Sequence, residues 1–318
     1  MRRLRAWPCG APRLAILCGL VVAAIGLLVA PTAGATPRIA FAKYESHGKQ
    51  SHIWSISPGA PHARQLTSGT PYDLAPAWSP DRGTIAFIRF TSGDSFEGPS
   101  LLMLMRADGS SERPLTYEGP TLTTGTHALA YSPDGRFLAG GLKVTPDETG
   151  SKWALTVLDL HSGVSRIVRR YSSQGGIESL SWSPDGRQIA FTVEYGGGSG
   201  LLRVDVESGR RLAIHTGAFN TSSVSWSPRG GNLLCSVFRL PGSPLLTYLT
   251  EPDGSRLERL GSGQGDPAYS PDGRHYAFVQ RGKWGYPCVV KYADADGSDV
   301  KTIMKSSGRD YVAALAWR

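Results

Sequence analysis

The chain has 318 residues with 34 Lys and Arg against 26 Asp and Glu, a formal net charge of +8. Four of the basic residues stand in the first 35 positions, so the rest carries 30 against 26, about +4. That remainder holds no Lys/Arg run with interleaved aromatics, which argues against nucleic acid as a partner.

The first 35 residues carry Arg2, Arg3, Arg5 and Arg13 and no acid. An apolar run follows from Leu14 to Ala30, and Ala33-Gly34-Ala35 puts small residues where a signal peptidase reads. This pattern predicts a secretory signal peptide over residues 1–35. The alternative is an uncleaved N-terminal anchor, because 17 apolar residues reach the lower limit for a membrane span. Either way export is expected, to the periplasm or outside the cell, with membrane contact only through residues 14–30 if the leader stays. Arg2-Arg3 lacks the rest of a twin-arginine signal, and Cys18 follows Leu17, so it makes no lipid-attachment box. Beyond the leader only Cys235 and Cys288 remain, without zinc-type spacing. Both are expected as small buried hydrophobes, although an exported chain could pair them.

From residue 36 onward the chain repeats. The triplet Ile39-Ala40-Phe41 is matched by Ile85-Ala86-Phe87, Leu138-Ala139-Gly140, Ile189-Ala190-Phe191, Leu233-Leu234-Cys235 and Tyr276-Ala277-Phe278. All but the first follow a turn: Trp78-Ser79-Pro80-Asp81, Tyr131-Ser132-Pro133-Asp134-Gly135, Trp182-Ser183-Pro184-Asp185-Gly186, Trp226-Ser227-Pro228-Arg229-Gly230 and Tyr269-Ser270-Pro271-Asp272-Gly273. Pro presets φ, Asp bonds the turn backbone and Gly takes positive φ, so each copy predicts a hairpin. The aromatic anchors, ending at Trp317, are spaced by 53, 51, 44, 43 and 48 residues, the length of a four-stranded blade. Third strands are read at 52–56, 101–104, 155–158, 201–204, 245–248 and 289–292. More polar fourth strands follow, such as 64–67 and 300–303, as suits an outer edge.

Six anchors and six triplets, offset by one, predict an all-β fold. It is a six-bladed β-propeller of four-stranded antiparallel blades over residues 36–318. The ring is closed by pairing the C-terminal strand with the N-terminal blade.

The aromatic-Ser-Pro-Asp-Gly turn, the Ile-Ala-Phe strand and an Asp108-Gly109-Ser110 turn before a strand ending Leu115-Thr116 resemble the WD-like repeats of TolB-type β-propellers. The resemblance covers nearly all of residues 37–318 and is to the propeller alone, without the α/β domain that precedes it in TolB. It implies a non-catalytic envelope protein that binds another protein or a peptide. Some propellers of this kind are metal-dependent sugar lyases, and some peptidases add a hydrolase domain to one.

Antiparallel order separates two faces. The short repetitive turns share one. The other carries irregular loops, read at 91–100, 117–127, 142–152, 194–200 and 280–287, on which binding is expected. Tyr44, Tyr72, Tyr117, Tyr171, Tyr195, Trp284, Tyr286 and Tyr311 gather on this face as candidate recognition aromatics. Counting back from each anchor, Asp73, His127, Glu178, Ser222, Asp266 and Asp310 enter the inner strands and converge on the channel mouth. Carboxylates and a histidine there could grip a polar ligand or hold a divalent cation such as calcium. No cofactor is otherwise expected. There is no Gly-x-Ser-x-Gly elbow, phosphate loop, dinucleotide fingerprint or His-Glu-x-x-His, so no catalytic constellation is read.

The leading expectation is therefore an exported, monomeric, non-catalytic propeller that binds an envelope or extracellular protein or peptide through the loop face and channel mouth. A metal-dependent lyase acting on carbohydrate, in which His127 would serve, and a calcium- or sugar-binding module are the alternatives.

Overall fold

In the computed structural model the described residues are 37–45, 50–69, 72–91, 99–120, 128–143, 152–171, 176–195, 198–214, 220–240, 243–282, 287–308 and 310–318. The expected leader and its apolar run lie outside them. Among the described residues every regular element is a strand, and no helix is long and apolar enough to cross a membrane.

The strands succeed one another as follows. First come β1 (Ile39–Glu45), β2 (Gln50–Ile56) and β3 (Arg64–Gln65). Next are β4 (Tyr72–Trp78), β5 (Thr84–Phe90), β6 (Ser100–Arg106) and β7 (Arg113–Pro114). Then follow β8 (Leu129–Tyr131), β9 (Phe137–Lys143), β10 (Trp153–Asp159) and β11 (Val164–Tyr171). β12 (Ile177–Trp182), β13 (Gln188–Tyr195), β14 (Gly198–Asp205) and β15 (Arg211–Ile214) come after these. β16 (Asn220–Trp226), β17 (Leu233–Phe238), β18 (Leu246–Thr250) and β19 (Leu257–Ser262) follow. The last are β20 (Gln264–Tyr269), β21 (His275–Arg281), β22 (Cys288–Asp294), β23 (Lys301–Lys305) and β24 (Tyr311–Trp317).

β8–β11, β12–β15, β16–β19 and β20–β23 are four separate four-stranded antiparallel sheets. The other eight strands form one sheet containing two groups of four, β24-β1-β2-β3 and β4-β5-β6-β7. A single parallel bridge between Ser51 and Tyr72 joins those groups. β24 lies antiparallel to β1, with Trp317 opposite Ile39 and Tyr311 opposite Tyr44. Neighbouring first strands pack in chain order, β4 against β8, β8 against β12, β12 against β16 and β16 against β20, while β24 packs against both β20 and β4.

Second strands read as unbroken apolar runs because neighbouring sheets cover both their faces. Ile85, Ala86, Phe87 and Ile88 are fully buried, as are Ile39, Ala40 and Phe41 and Ile189, Ala190 and Phe191. Cys235 fills the slot that Phe holds in sister copies; it and Cys288 are buried thiols outside any disulfide. Burial pushes the Cys235 thiol up to about 12 and raises Cys288 as well. The fourth strands β3 and β7 are exposed and only two residues long. Such short, polar edges present little unpaired backbone to other chains.

Each repeated turn is organised by its serine. Ser183 Oγ donates to Asp185 Oδ1 at 2.6 Å and accepts the Gln188 N–H at 2.9 Å, while Asp185 Oδ1 accepts the Arg187 N–H at 3.0 Å. Gly186 takes φ +70°, and its N–H closes on Ser183 O at 2.9 Å. Ser79, Ser132 and Ser270 make the same serine–aspartate bond, at 2.5, 2.5 and 2.7 Å. In the first copy Arg82 stands one residue after the aspartate and takes φ +62°, a conformation that costs a side chain and costs glycine nothing.

The first strands β4, β12, β16 and β20 carry one extra residue where the register slips: between Leu74 and Ala77, Ile177 and Ser179, Thr221 and Ser223, and Gly265 and Ala268. These β-bulges re-aim side chains next to the loop side. Serines then tie neighbouring first strands together. Ser179 Oγ accepts the Val224 N–H at 3.0 Å, Ser181 Oγ the Trp226 N–H at 2.9 Å and Ser225 Oγ the Tyr269 N–H at 3.1 Å. The Trp182 indole N–H donates to Ala130 O at 3.0 Å.

The hairpin β13–β14 corrects one expectation. Residues 194–200 are not a long loop: β13 runs to Tyr195 and β14 starts at Gly198, because Glu194 pairs with Ser199 and Tyr195 with Gly198.

Candidate functional site

The first strands β4, β8, β12, β16, β20 and β24 line one cavity of about 1710 Å³. Strand direction sorts its lining. The repeated prolines and the anchors Trp78, Tyr131, Trp182, Trp226, Tyr269 and Trp317 stand at the turn end. Tyr44, Glu178, Glu194, Asn220, Asp266, Arg281 and Tyr311 stand at the loop end.

The loop end holds a compact charged and aromatic group. Arg281 Nη2 donates to Asp266 Oδ2 at 2.8 Å, and both side chains are about a quarter exposed, 24 % and 23 %, toward the cavity. The Arg281 guanidinium lies over the Tyr311 ring, 4.6 Å from its centroid, and Tyr311 meets Tyr44 edge-on at 5.7 Å. Burial raises Asp266 above the ordinary carboxylate value in spite of Arg281. Arg281 is itself held above its ordinary value: burial opposes this, and Asp266 outweighs it with help from Tyr311 and Cys288. Burial, then Asp266 and then Glu178, push the Tyr44 hydroxyl well above its usual value. Asp266 also sits at φ +50°, on the bulge of β20, which turns its carboxylate into the cavity.

Across the mouth Glu178 occupies the bulge of β12, with Glu194 on the neighbouring β13. Both are exposed in the cavity and have no ion-pair partner among the described residues. Ser199 Oγ and Ser223 Oγ are buried without a hydrogen-bond partner among the described residues, and both residues line the cavity. Among the described residues no three of His, Cys, Asp and Glu come together as a metal-binding group, and no histidine lines the cavity.

The sequence matches the family described as TolB beta propeller domain over residues 20–228, about two thirds of the chain. The chain belongs to the TolB β-propeller family. An uncharacterized Agrobacterium fabrum protein is 28 % identical over 196 residues, 58 % of this chain and 62 % of that protein. The crystal structure of TolB from Acinetobacter baumannii superposes with a TM-score of 0.70 at 19 % identity, covering 88 % of this chain and 66 % of that one. The chain thus spans less than two thirds of the length of the first and about two thirds of the second. An oligogalacturonate lyase in complex with manganese superposes with a TM-score of 0.54 at 15 % identity, over 82 % of this chain and 72 % of that one. At 19 % and 15 % identity these two likenesses concern the fold.

Within this TolB propeller the expected mouth residues divide. Glu178, Ser222 and Asp266 line the cavity. Asp73 does not: it is fully buried, and Arg89 clamps it with Nε to Oδ1 at 2.7 Å and Nη2 to Oδ2 at 2.8 Å. Arg89 also reaches Glu112 at 2.8 Å, so Asp73 belongs to a structural ion-pair network. Asp310 does not line the cavity either; its Oδ2 takes Lys43 Nζ at 3.0 Å and the Ser307 hydroxyl at 2.9 Å. Among the expected recognition aromatics, Tyr72 and Tyr171 are buried in the core, Tyr171 edge-on to Phe191 at 5.2 Å. Their rings pack under the loop face instead of presenting on it. Tyr117 is partly buried against the same core, and Tyr311 faces the cavity. His127, Trp284 and Tyr286 lie outside the described residues.

Arg281, Glu194, Ser199 and Asn220 were not singled out from sequence. Tyr44, Glu194, Phe238 and Arg281 share a signal: each stands five residues after the first residue of its Ile-Ala-Phe-type triplet, and each lines the cavity.

Proposed function

We propose that the chain is an exported, monomeric, non-catalytic TolB-type propeller that binds a protein or peptide partner at the loop-side mouth of its channel. Its six four-stranded groups form the blades of a closed ring over residues 36–318, with β24 beside β1 completing the last blade. The signal-type leader supports periplasmic or extracellular residence. One observation carries the functional reading: a single large cavity, lined by all six first strands, whose polar and aromatic lining gathers at the loop end. Wide, partly apolar concavities with a few convergent polar groups bind ligands, and Tyr and Arg are the side chains that anchor protein interfaces. The same lining offers a grip: the hydroxyls of Ser199 and Ser223 hydrogen-bond to no base among the described residues, and Asp266 is occupied by Arg281.

The test is in-cell photo-cross-linking from position 222, where Ser222 faces the cavity, in tagged full-length protein, with mass spectrometry of the captured species and of the mature N-terminus. A dominant protein partner, captured from the loop end and not from a turn-end position such as Arg187, is expected. Capture of oligosaccharide with release of unsaturated sugar products would overturn the reading. An intact N-terminus at Met1 would replace cleavage with anchoring.

A further inference from the structure

We propose that the loop-side mouth is a receptor for a cationic group, a lysine, an arginine or a free N-terminal amine, presented by the bound segment. The inference rests on the partner-binding reading and adds the chemistry of what enters the mouth. Asp266 and Arg281 neutralise one another across 2.8 Å. Among the described residues lining the loop end, the charge left over is that of Glu178 and Glu194, two carboxylates on adjacent strands of one hairpin, both exposed in the cavity and both without an ion-pair partner among those residues.

A second observation points to a ligand independently of the acids. Ser223 is 5 % exposed and lines the cavity, and its Oγ has no hydrogen-bond partner among the described residues; the Oγ of Ser199, cross-strand neighbour of Glu194, is likewise buried and unpartnered among them. Buried hydroxyls are ordinarily satisfied, and each can accept a hydrogen bond from an ammonium or guanidinium. Both hydroxyls and both carboxylates can accept, which suits a donor-rich cation.

A chelated metal ion fits less well. It needs three or more ligands within bonding reach of one point, and no such group forms among the described residues. An organic cation tolerates carboxylates spread over several ångströms and gains from aromatic walls, which Tyr44 and Tyr311 supply. A low-dielectric channel strengthens the attraction relative to open surface. Outside the leader the chain carries about +4, so its overall charge repels a cation. Cation binding at the mouth is then distinguishable from non-specific adsorption, which favours anions.

The probes are fluorescein-labelled nine-residue peptides of the pattern Gly-Ser-X repeated three times, X being Lys in one and Glu in the other, with calcium chloride as a third titrant. Fluorescence anisotropy is read against the whole protein, the double variant Glu178→Gln/Glu194→Gln, and the turn-end control Arg187→Gln. The lysine peptide is expected to bind at least about tenfold tighter than the glutamate peptide. Its affinity should drop at least about tenfold in the double variant, with unchanged thermal midpoint, and remain unchanged in the control. Raising salt from about 50 mM to about 300 mM weakens it. Equal or tighter binding of the glutamate peptide overturns the proposal. So does lysine-peptide binding indifferent to the double variant, or competition by calcium at equal strength in wild type and double variant. A partner captured in cells that remains bound to the double variant overturns the cation receptor and leaves partner binding standing.

Discussion

Asp266 and Arg281 form an ion pair at the loop-side mouth in which burial opposes the attraction: Asp266 is held above the ordinary carboxylate value although a guanidinium nitrogen stands 2.8 Å from its oxygen. Breaking one side should cost more than removing both, because the survivor is left charged in a partly buried site. Asp266→Asn, which keeps a residue type tolerant of the φ of +50°, is expected to lose about 2 kcal/mol. The double variant Asp266→Asn/Arg281→Met should lose less than that. Urea melts of the two single variants and the double variant measure the coupling; additive losses would refute it.

The turn aspartates give the fold an acid limit. Asp81 and Asp185 are held below the ordinary value, first by the serine two residues earlier and then by the following backbone N–H. Asp159 is lowered to about 2, chiefly by Arg136. A carboxylate whose folded value is depressed contributes stability that is fully present above its unfolded value and lost as pH falls through the folded one. The denaturant midpoint is therefore expected to be flat from about pH 7 to about pH 5 and to fall between about pH 4 and about pH 2. Ser183→Ala should cost about 1–2 kcal/mol at neutral pH by stranding the Gln188 N–H, and should shallow the acid-side slope.

Equivalent tryptophans are not equivalent in their bonds. Trp182 donates its indole N–H to Ala130 O at 3.0 Å, whereas the indole N–H of Trp226 is buried and has no partner among the described residues. Replacement by Phe removes a hydrogen bond in the first case and an unsatisfied donor in the second. Trp182→Phe is expected to be more destabilising than Trp226→Phe by about 1 kcal/mol, read from paired chemical melts.

Arg82 is the one non-glycine residue at its place in the first repeated turn, with φ +62°. Sister turns reach that conformation with Gly135, Gly186 and Gly273. Arg82→Gly should relieve the strain and, after the added freedom of the unfolded glycine is subtracted, stabilise the protein by about 0.5 kcal/mol. Gly186→Ala should destabilise by about 1 kcal/mol. Opposite signs for the two in one thermal-melt series would confirm that backbone conformation, and not side-chain contact, governs this position.

The order of strands was legible in the chain because the repeat is local: an aromatic, a serine-centred turn and an apolar triplet recur with little drift. The serine itself was the weaker reading. Its recurrence at 79, 132, 183, 227 and 270 was visible, but its part as the hydroxyl that both donates to the aspartate and accepts the returning strand requires three dimensions. The mouth was half legible. Counting back from the anchors found Glu178 and Asp266, yet the same count put Asp73 there, and Arg89, directly opposite it in the register, draws Asp73 into a buried clamp instead. Side-chain pairing across strands decides which acids face the cavity, and periodicity within one strand does not report it. Arg281 and Glu194 were hidden for a related reason: they stand at the ends of second strands, five residues after the triplet's first residue, where alternation was lost in what read as loop.

The pairing of β1 with β24 has a mechanical consequence. The two strands are antiparallel, with Ile39 opposite Trp317, so the places where the backbone enters β1 and leaves β24 lie side by side. Tension applied between residues 38 and 318 loads the ladder one rung at a time, as a zipper opens, and never shears all the rungs together. The seam yields at low force to a pull on its own ends. A pull from an interior turn, such as one attached near Gly186, meets hairpins on both sides. A load between one terminus and the loop-side mouth does not pull on both ends of the β1–β24 ladder at once, so it does not drive that unzipping.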